Sequence, residues 1–475
     1  MKVPYFIKLV LKEVLRKFSL KMERLSQIEK FLIQIRKIKD ENIKYKILLA
    51  ELKKFPESPA LNLALAVNLT SLGDPQKFNQ LQKYSDCRNQ WLLDTGLDKL
   101  DAEFVSPVMY CGSLGNHGPI DTLISANHLN LRNQKKLIAI LDKKNGLPLR
   151  NESFFEYFKP HINVIDDEDL VIDLKNLSNV LELPLGYCIP LKDSCPSGEV
   201  ARNIVQTKLM NIKSKPLFNL TDTDRTIGTN ILKDMGLPKN AWYVTLHVRG
   251  KGYRGENVNN SVDNFRSPDI NLYIDAIKYI TKLGGWVFRM GDSTMQNIPE
   301  IPNCIDYANS NYKSKFMDVF LGATSRFSIV TPSGYMVIAR LFDTPLLFSN
   351  CTVFEEYYGL QKNDIYLPAL LKRNNSNEIL NFEKFTSFPI GALINDVHYS
   401  SHNLSVIHNT SDELLNATKE MIELTESNNV QINLSEKQTN FKDLAYKNSF
   451  LYHKSGLAPN SRISKYFIEK RNNLI

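Results

Sequence analysis

Long apolar runs are absent from this sequence of 475 residues. No stretch of about 18 apolar residues occurs, so no membrane-spanning helix is expected. Cysteine is scarce, with six residues that form neither a C-x-x-C pair nor a metal-ligand spacing. Scattered thiols in a long chain favour a reducing compartment. We therefore expect a cytoplasmic protein, either free or bound peripherally to the inner face of the cytoplasmic membrane.

Several nucleotide-binding and nucleic-acid-binding motifs are also missing. The sequence has no G-x-x-x-x-G-K-[ST] loop and no zinc-finger, RRM or basic-helix signature. A kinase or phosphatase is disfavoured because both a nucleophile motif and a metal motif are lacking. The glycine-rich piece GSLGNHG at residues 112–118 only loosely matches a dinucleotide fingerprint. It could let the backbone approach a substrate, which makes Gly115 and His117 substrate-binding candidates.

The composition is that of an ordinary globular protein with a modest net positive charge. Hydrophobic residues make up 43% and charged residues 23%, and the formal net charge is +8. The basic residues do not form one dense block, so an anionic ligand or membrane surface is favoured over nucleic acid. Residues 1–20 form an amphipathic basic pattern without a signal-peptide cleavage site. That helix could lie on an anionic membrane or pack on its own protein.

The pattern along the chain predicts four segments. Residues 1–100 indicate helices, and 55–84 resemble one tetratricopeptide-type hairpin, which we interpret as a cap or arm. Residues 101–237 have the mixed pattern of a first α/β domain. Residues 238–400 alternate strands and helices clearly. Residues 401–475 are interpreted as a helical return and a partly mobile tail.

The alternation is clearest in residues 241–350. Strands are predicted at 242–248, 286–292, 326–334 and 344–350, with helices at 267–284, 313–325 and 335–342 between them. Ser267 is predicted to be the N-cap of the first of these helices, with Pro268 at its first position and Gly284 beyond its end. Such alternation predicts a mainly parallel sheet with right-handed crossovers.

Each predicted strand ends in a polar cluster. In a parallel sheet these clusters meet at one edge, where ligands bind. Arginines there can contact phosphate oxygens, and a helix start offers free N–H groups. The pattern therefore predicts a site for a phosphate-bearing ligand, formed by His247, Arg249, Arg289, Gly291, Asp292, Ser333, Gly334 and Asn350.

Structural alternatives exist for these residues. Arg249 could pair with Asp292, His247 could be a satisfied, half-buried histidine, and the start of the helix at Ser333 could be an ordinary N-cap. Two acidic patches are interpreted as structural as well. Residues 167–169 read as a solvated turn and residues 222–224 as a helix-capping region. No essential metal and no cofactor are therefore expected.

Residues 244–350 resemble a family of bacterial glycosyltransferases found among surface-polysaccharide genes. The matching pieces are TLHVRGKGYRG, FRSPDINLYIDAIKYITKLGGWVFRMGD, IDYANSNYKSKFMDVFLGATSRFSIVTPSG and FDTPLLFSN. The His-x-Arg piece is also similar to that of fucosyltransferases, which continues Arg-Gly-Asp. Here Gly250 is followed by Lys251, so the acidic residue is missing and neither fucose nor GDP is implied.

The resemblance implies a GT-B-like pair of Rossmann-like domains with an N-terminal all-helical extension. Residues 101–237 would be the acceptor side, and 238–400 would bind the nucleotide sugar. The implied reaction is metal-independent sugar transfer from a nucleotide-diphosphate sugar to a growing surface glycan of capsule or lipopolysaccharide type. Its acceptor would be glycan or lipid-linked. Tyr253, Asp306 and Asn350 would line the donor pocket.

The expected mechanism places Arg249 first in stabilising the departing diphosphate. The helix start at Ser333 and Gly334, with Arg289 and His247, would assist it. An inverting reaction needs a base, for which Glu256, Asp263 and Asp292 are candidates. The alternative function is a noncatalytic helical adaptor with a degenerate sugar-nucleotide-binding domain.

Overall fold

The computed structural model describes residues 22–72, 74, 76–96, 98, 102–104, 118–132, 136–141, 151–166, 168, 188–192, 194–196, 198–211, 216–250, 264–393, 396–426, 433–448 and 459–474. The chain divides into two compact units, Met1–Val205 and Gln206–Ile475. The domain boundaries expected from the sequence near residues 100, 237 and 400 stay predictions.

The first unit begins with helices. Asp40 caps the second helix by accepting from the backbone N–H groups of Asn42 and Ile43, and Gly96 ends the fourth helix in the left-handed conformation. Buried leucines on three of these helices, including Leu32, form a shared core. The helices are α1 Met22–Ile35, α2 Glu41–Lys54, α3 Pro59–Leu72 and α4 Lys77–Thr95.

A small parallel sheet completes the described part of this unit. Its order is β1-β2-β3, and both pairings are parallel. A parallel arrangement agrees with the mixed pattern of this part of the sequence. The elements are β1 Ala102–Phe104, α5 Gly118–His128, β2 Lys136–Ile140, α6 Glu152–Glu156, β3 Asn163–Ile165 and α7 Gly198–Asn211.

A seven-stranded parallel sheet forms the centre of the second unit, in the order β12-β9-β8-β7-β4-β5-β6. The predicted strand-helix alternation and the mainly parallel sheet are confirmed. The first elements are α8 Asp222–Asp234, β4 Tyr243–His247, α9 Ile274–Lys282, β5 Trp286–Arg289, β6 Cys304–Ile305, α10 Lys315–Thr324, β7 Ser328–Val330, α11 Tyr335–Leu341 and β8 Leu346–Cys351.

The remaining chain adds to the same unit. Strands β10 and β11 form an antiparallel pair, and β12 joins the edge of the main sheet beside β9. The elements are α12 Glu355–Tyr358, β9 Ile365–Pro368, β10 Leu370–Arg373, α13 Phe382–Thr386, α14 Asp396–Ser401, β11 Leu404–Ile407, α15 Ser411–Glu426, α16 Glu436–Asn448, β12 Arg462–Ile463 and α17 Lys465–Lys470.

The residues that cap and end the helices are largely those predicted from the sequence, with one exception. Thr221 and Asp224 form a reciprocal capping box at the start of α8, as predicted for that acidic segment. Gly284 follows α9 with φ +82°, as predicted. The prediction that Ser267 caps this helix is wrong. A short 3₁₀ turn, Ile270–Tyr273, precedes α9, and Asp269 caps that turn by accepting from the N–H of Asn271.

None of the helices in the described part of the chain is long and apolar enough to cross a membrane.

Candidate functional site

The carboxyl ends of the central strands lie at one edge of the large sheet. Strands β4, β5, β7 and β8 run parallel, with Leu246 opposite Arg289 and His247 opposite Val330. The chain segments that leave these strands therefore emerge next to one another. This edge is the place where open parallel sheets bind ligands.

His247 is held at this edge by the segment that follows β7. Its Nδ1 lies 3.1 Å from the hydroxyl oxygen of Ser333. Its ring stacks on Tyr335 with centroids 5.2 Å apart and planes inclined by 16°. The side chain is half-buried. The stacking on Tyr335 fixes the plane of the ring. The contact with Ser333 fixes which way Nδ1 points within that plane.

The imidazole of His247 is neutral near pH 7. Its pKa is lowered to about 4, chiefly by burial and also by the positive charges of Arg249 and Arg289, whereas Asp292 acts in the opposite direction. Because these are electrostatic neighbours of one ring, the structure brings the predicted residues of β4, β5 and β7 together. A neutral His247 adds no positive charge to the site.

Arg249 leaves the edge two residues after His247. Its backbone N–H donates to the Thr331 hydroxyl at 3.0 Å, and the Thr331 N–H donates to the carbonyl of His247 at 3.1 Å. These two bonds extend the pairing of β4 and β7 beyond the last strand residues. The position of Arg249 is therefore set by the sheet, and its side chain is half-buried.

Gly291 allows the chain after β5 to approach the side chain of Met295. Gly291 has φ +146°, and a Cβ built on it would lie 2.3 Å from the Met295 sulfur. A Cβ on Gly250 would lie 3.5 Å from the same methionine. The half-buried Asp292 accepts from the N–H of Thr294 at 2.9 Å, which closes the turn that places Met295.

Arg289 is engaged by protein groups. It is 2% exposed. Its Nη1 lies 3.1 Å from Asp306 Oδ1, and its Nη2 donates to the carbonyl of Gln296 at 2.8 Å. Asp306 also accepts from Asn309 Nδ2 at 2.9 Å. Arg289 is therefore held in an ion pair with Asp306 and acts on His247 through its charge.

Asn350 lies inside β8, at a bulge with φ +56°. Its amide donates to the Tyr273 hydroxyl at 2.8 Å, and its carbonyl oxygen accepts from the N–H of Asn409 at 2.7 Å. The residue is 0% exposed. These contacts give Asn350 a part in connecting the sheet to the chain after β11, while its predicted contact with the donor stays a prediction.

Ser333 and Gly334 precede α11, a helix of seven residues. Gly334 is exposed and Ser333 half-buried. The N-cap residue of this helix is Gly334, which has no side chain, and the Ser333 hydroxyl contacts His247 instead. Ser333 was expected to form part of a helix N-terminus. It also contacts His247, which the sequence did not indicate.

Several predicted site residues lie outside the described ranges. They are Gly115, His117, Tyr253, Glu256 and Asp263. Their predicted roles stay predictions.

Sequence analysis missed one segment at this edge. Residues 264–266 are held by Asp396, which accepts from the N–H groups of Asn264 and Phe265 at 2.7 and 3.0 Å. Phe265 packs on Tyr399, whose hydroxyl donates at 2.7 Å to Thr352, the residue after β8. The segment therefore lies near the carboxyl end of β8. The sequence piece FRSPD marked the start of this segment. Asp396, which holds the segment, lies about 130 residues later in the sequence and could not be connected with it.

Among the residues that the structure describes, no three His, Cys, Asp or Glu side chains are grouped as metal ligands would be. The expectation of a metal-independent reaction stays a prediction.

No protein-family model matches the sequence, and a comparison with curated proteins gives no match. A glycosyl transferase family 9 structure from Veillonella parvula DSM 2008 is 10% identical over 69% of this chain and 98% of its own, with a TM-score of 0.34. The iron-containing dodecameric glycosyltransferase TibC from enterotoxigenic E. coli H10407 is 11% identical over 68% of this chain and 75% of its own, with a TM-score of 0.33. We draw no functional conclusion from similarities this low.

Proposed function

We propose that the protein is a glycosyltransferase that uses a nucleotide-diphosphate sugar. The observation that supports this most is the group formed by His247, Arg249, Asp292 and Ser333 at the carboxyl edge of the large parallel sheet. A site of this kind suits a ligand with phosphate groups and a reacting hydroxyl.

The charge at this edge suits the leaving group of glycosyl transfer. Breaking the bond between the sugar and the diphosphate leaves negative charge on the phosphate oxygens. Arg249 is half-buried and held at its backbone by Thr331, so it meets that charge without a large rearrangement. The positive charge of the buried Arg289 also acts at this edge, and the exposed Gly334 is a candidate for a backbone contact.

The finer parts of the proposal rest on the sequence. They are the GT-B arrangement, with the donor held by the second α/β domain, and the transfer to a surface glycan of capsule or lipopolysaccharide type. Peripheral membrane contact through residues 1–20 and independence from metal ions belong to the same group. Among the candidate bases, Glu256 and Asp263 are also proposed from sequence alone, and Asp292 acts electrostatically on His247.

A donor screen tests the proposal. The full-length protein is mixed separately with ADP-, GDP-, UDP- and CMP-sugars, and the change in melting temperature is measured. Each stabilising donor is then assayed for release of the free nucleotide, with and without glycan acceptors, by mass spectrometry. Stabilisation together with nucleotide release is the expected result. No stabilisation and no release across the panel would contradict the proposal.

The same screen distinguishes the alternative function, a noncatalytic adaptor. An adaptor would be stabilised by a nucleotide sugar but would release no nucleotide in the presence of any acceptor.

A further inference from the structure

We propose that His247 Nε2 accepts the proton of the acceptor hydroxyl during sugar transfer, and that Ser333 is the residue that positions it. This inference rests on the proposed glycosyltransferase function. From the sequence, His247 was expected to assist the leaving diphosphate, or to be a satisfied, half-buried histidine or an orienting group, and the proposal gives it the role of the base.

The first step of the argument is which ring nitrogen is occupied. Nδ1 of His247 lies 3.1 Å from the Ser333 hydroxyl oxygen. A hydroxyl can accept a hydrogen bond from a protonated ring nitrogen or donate one to an unprotonated nitrogen. The proposal places the proton on Nδ1, with the Ser333 hydroxyl accepting from it.

The second step is what this leaves at the other nitrogen. With the proton on Nδ1, Nε2 has a free lone pair, and no contact of Nε2 occurs among the described residues. The stacking on Tyr335 at 5.2 Å fixes the plane in which that lone pair lies. The half-buried ring belongs to the last residue of β4. A nitrogen with these properties is suited to accept a proton.

The third step concerns the charges that face the ring. Arg249 and Arg289 disfavour a protonated His247, and Asp292 favours it. A diphosphate held by the arginines would bring negative charge to the same edge of the sheet. Nearby negative charge raises the pKa of a histidine. His247 would therefore be a stronger base when the donor is bound than when the site is empty.

The proton and electron balance is that of an inverting transfer. The acceptor hydroxyl oxygen forms a bond to the anomeric carbon while its proton passes to His247 Nε2. The bond between that carbon and the diphosphate oxygen breaks, and its electron pair leaves on the diphosphate. Asp292 stabilises the resulting imidazolium, and the proton is then lost to solvent.

The tautomer can be measured without any substrate. The full-length protein is labelled with ¹⁵N-histidine, and the signals of His247 are assigned by comparison with His247→Gln. We expect a protonated Nδ1 and an unprotonated Nε2 in the wild type. Ser333→Ala should give a mixture of tautomers, and Ser333→Thr should restore the wild-type pattern. A proton on Nε2 in the wild-type protein would overturn the inference even if Ser333→Ala fails to fold.

The charge coupling is measured by titrating His247 with and without inorganic pyrophosphate, and with the nucleoside diphosphate that binds best in the donor screen. We expect the pKa of His247 to rise when the anion binds. Binding without any change in that pKa would contradict the role of the loaded site.

Kinetics give a third measurement if a donor is found. His247→Gln should lower kcat by about 10²–10⁴-fold, and Ser333→Ala by about 10-fold, with Ser333→Thr close to wild type. Unchanged kcat in His247→Gln would remove it as the base. If no donor reacts, the proposed function fails, whereas the tautomer measurement still decides the placement of the proton.

Discussion

Arg249 is the residue whose replacement should affect transfer most directly. Its position is set by the Thr331 hydroxyl through its own backbone N–H, so Arg249→Ala keeps that bond. Loss of one preorganised contact to a developing negative charge lowers the rate on the order of 10²–10³-fold. We expect such a loss of kcat for the best donor, with an unchanged circular dichroism spectrum.

Arg225→Ala is a matched control for this variant. Arg225 is an exposed arginine on α8, in a helix that precedes β4 in the sequence. The control should transfer sugar at the wild-type rate. Near-normal turnover by folded Arg249→Ala would exclude Arg249 from the mechanism.

His247 should also make the stability of the protein dependent on pH. Its pKa in the folded protein is about 4, mainly because of burial, and about 6.5 in an unfolded chain. Between these values the unfolded chain binds the proton and the folded protein does not. The stabilisation is therefore complete above about pH 6.5 and is lost as the pH falls towards about 4.

Urea unfolding at several pH values checks this expectation. The difference in unfolding free energy between the wild type and His247→Gln should decrease as the pH is lowered from about 7 to about 4. A difference that stays constant over this range would mean that the pKa of His247 is not lowered.

At the scale of elements, the turn after β5 depends on Gly291. An alanine there would adopt φ +146° and place its Cβ against the Met295 sulfur. We expect Gly291→Ala to reduce the unfolding free energy by about 1–3 kcal/mol from backbone strain alone, with a further cost from the contact. Urea unfolding measures both contributions.

Met295→Ala in the same background separates strain from contact. The double variant Gly291→Ala/Met295→Ala should lose less stability than the sum of the two single variants, because the contact no longer exists. Gly284→Ala is a control for strain, since φ is +82° there and a Cβ would meet nothing within 4 Å. Additive losses would show that Met295 does not restrict this turn.

The elements of the second unit could be predicted because strand and helix patterns are local. Apolar runs gave β4, β5, β7 and β8, and Gly284 marked the end of α9. The ion pair between Arg289 and Asp306 could not be predicted, since it depends on the register of the two-residue strand β6 against β5. Contacts between distant residues depend on packing that a single sequence does not reveal.

For the candidate site, the residues at the strand ends could be predicted, whereas the contacts between them could not. Parallel strands brought His247, Arg249 and the segment around Ser333 to one edge, as the sequence indicated. The hydrogen bond between Ser333 and His247 was not indicated, because Ser333 read equally well as the N-cap of a helix. The position of Asn350 inside β8 arises from a bulge, which has no local signal beyond the asparagine itself.

At the scale of the second unit, residues near the carboxyl terminus belong to the main sheet. β12 pairs with β9. Arg471 donates to Glu413 on α15 at 2.7 Å, and Glu413 is 1% exposed. Glu420 of the same helix accepts from the N–H groups of Lys465 and Tyr466 at 2.8 Å. These contacts make the described part of the carboxyl-terminal segment a structural component of the unit that holds the candidate site.

Asn409 joins this segment to the centre of the sheet, and its removal should destabilise the whole unit. Its side-chain oxygen accepts from the N–H of Asn350 at 2.8 Å, and its amide donates to the carbonyl of Pro368 at 2.7 Å. Asn409 is 2% exposed and Asn350 0%. Asn409→Ala leaves both partners buried without a hydrogen bond, at a cost of about 1–3 kcal/mol for each buried group.

We therefore expect Asn409→Ala to lose about 2–4 kcal/mol of unfolding free energy. Fluorescence of Trp242 and Trp286, which lie at the start of β4 and β5, reports unfolding of the sheet in urea. Asn416→Ala is the control, because Asn416 is a half-buried residue of α15 whose side-chain hydrogen bonds in the described part of the chain stay within its own helix. Its loss should stay below about 0.5 kcal/mol. If both variants unfold at the same urea concentration, Asn409 does not link the carboxyl-terminal segment to the sheet. In that case the position of β8 would depend on its strand pairing alone.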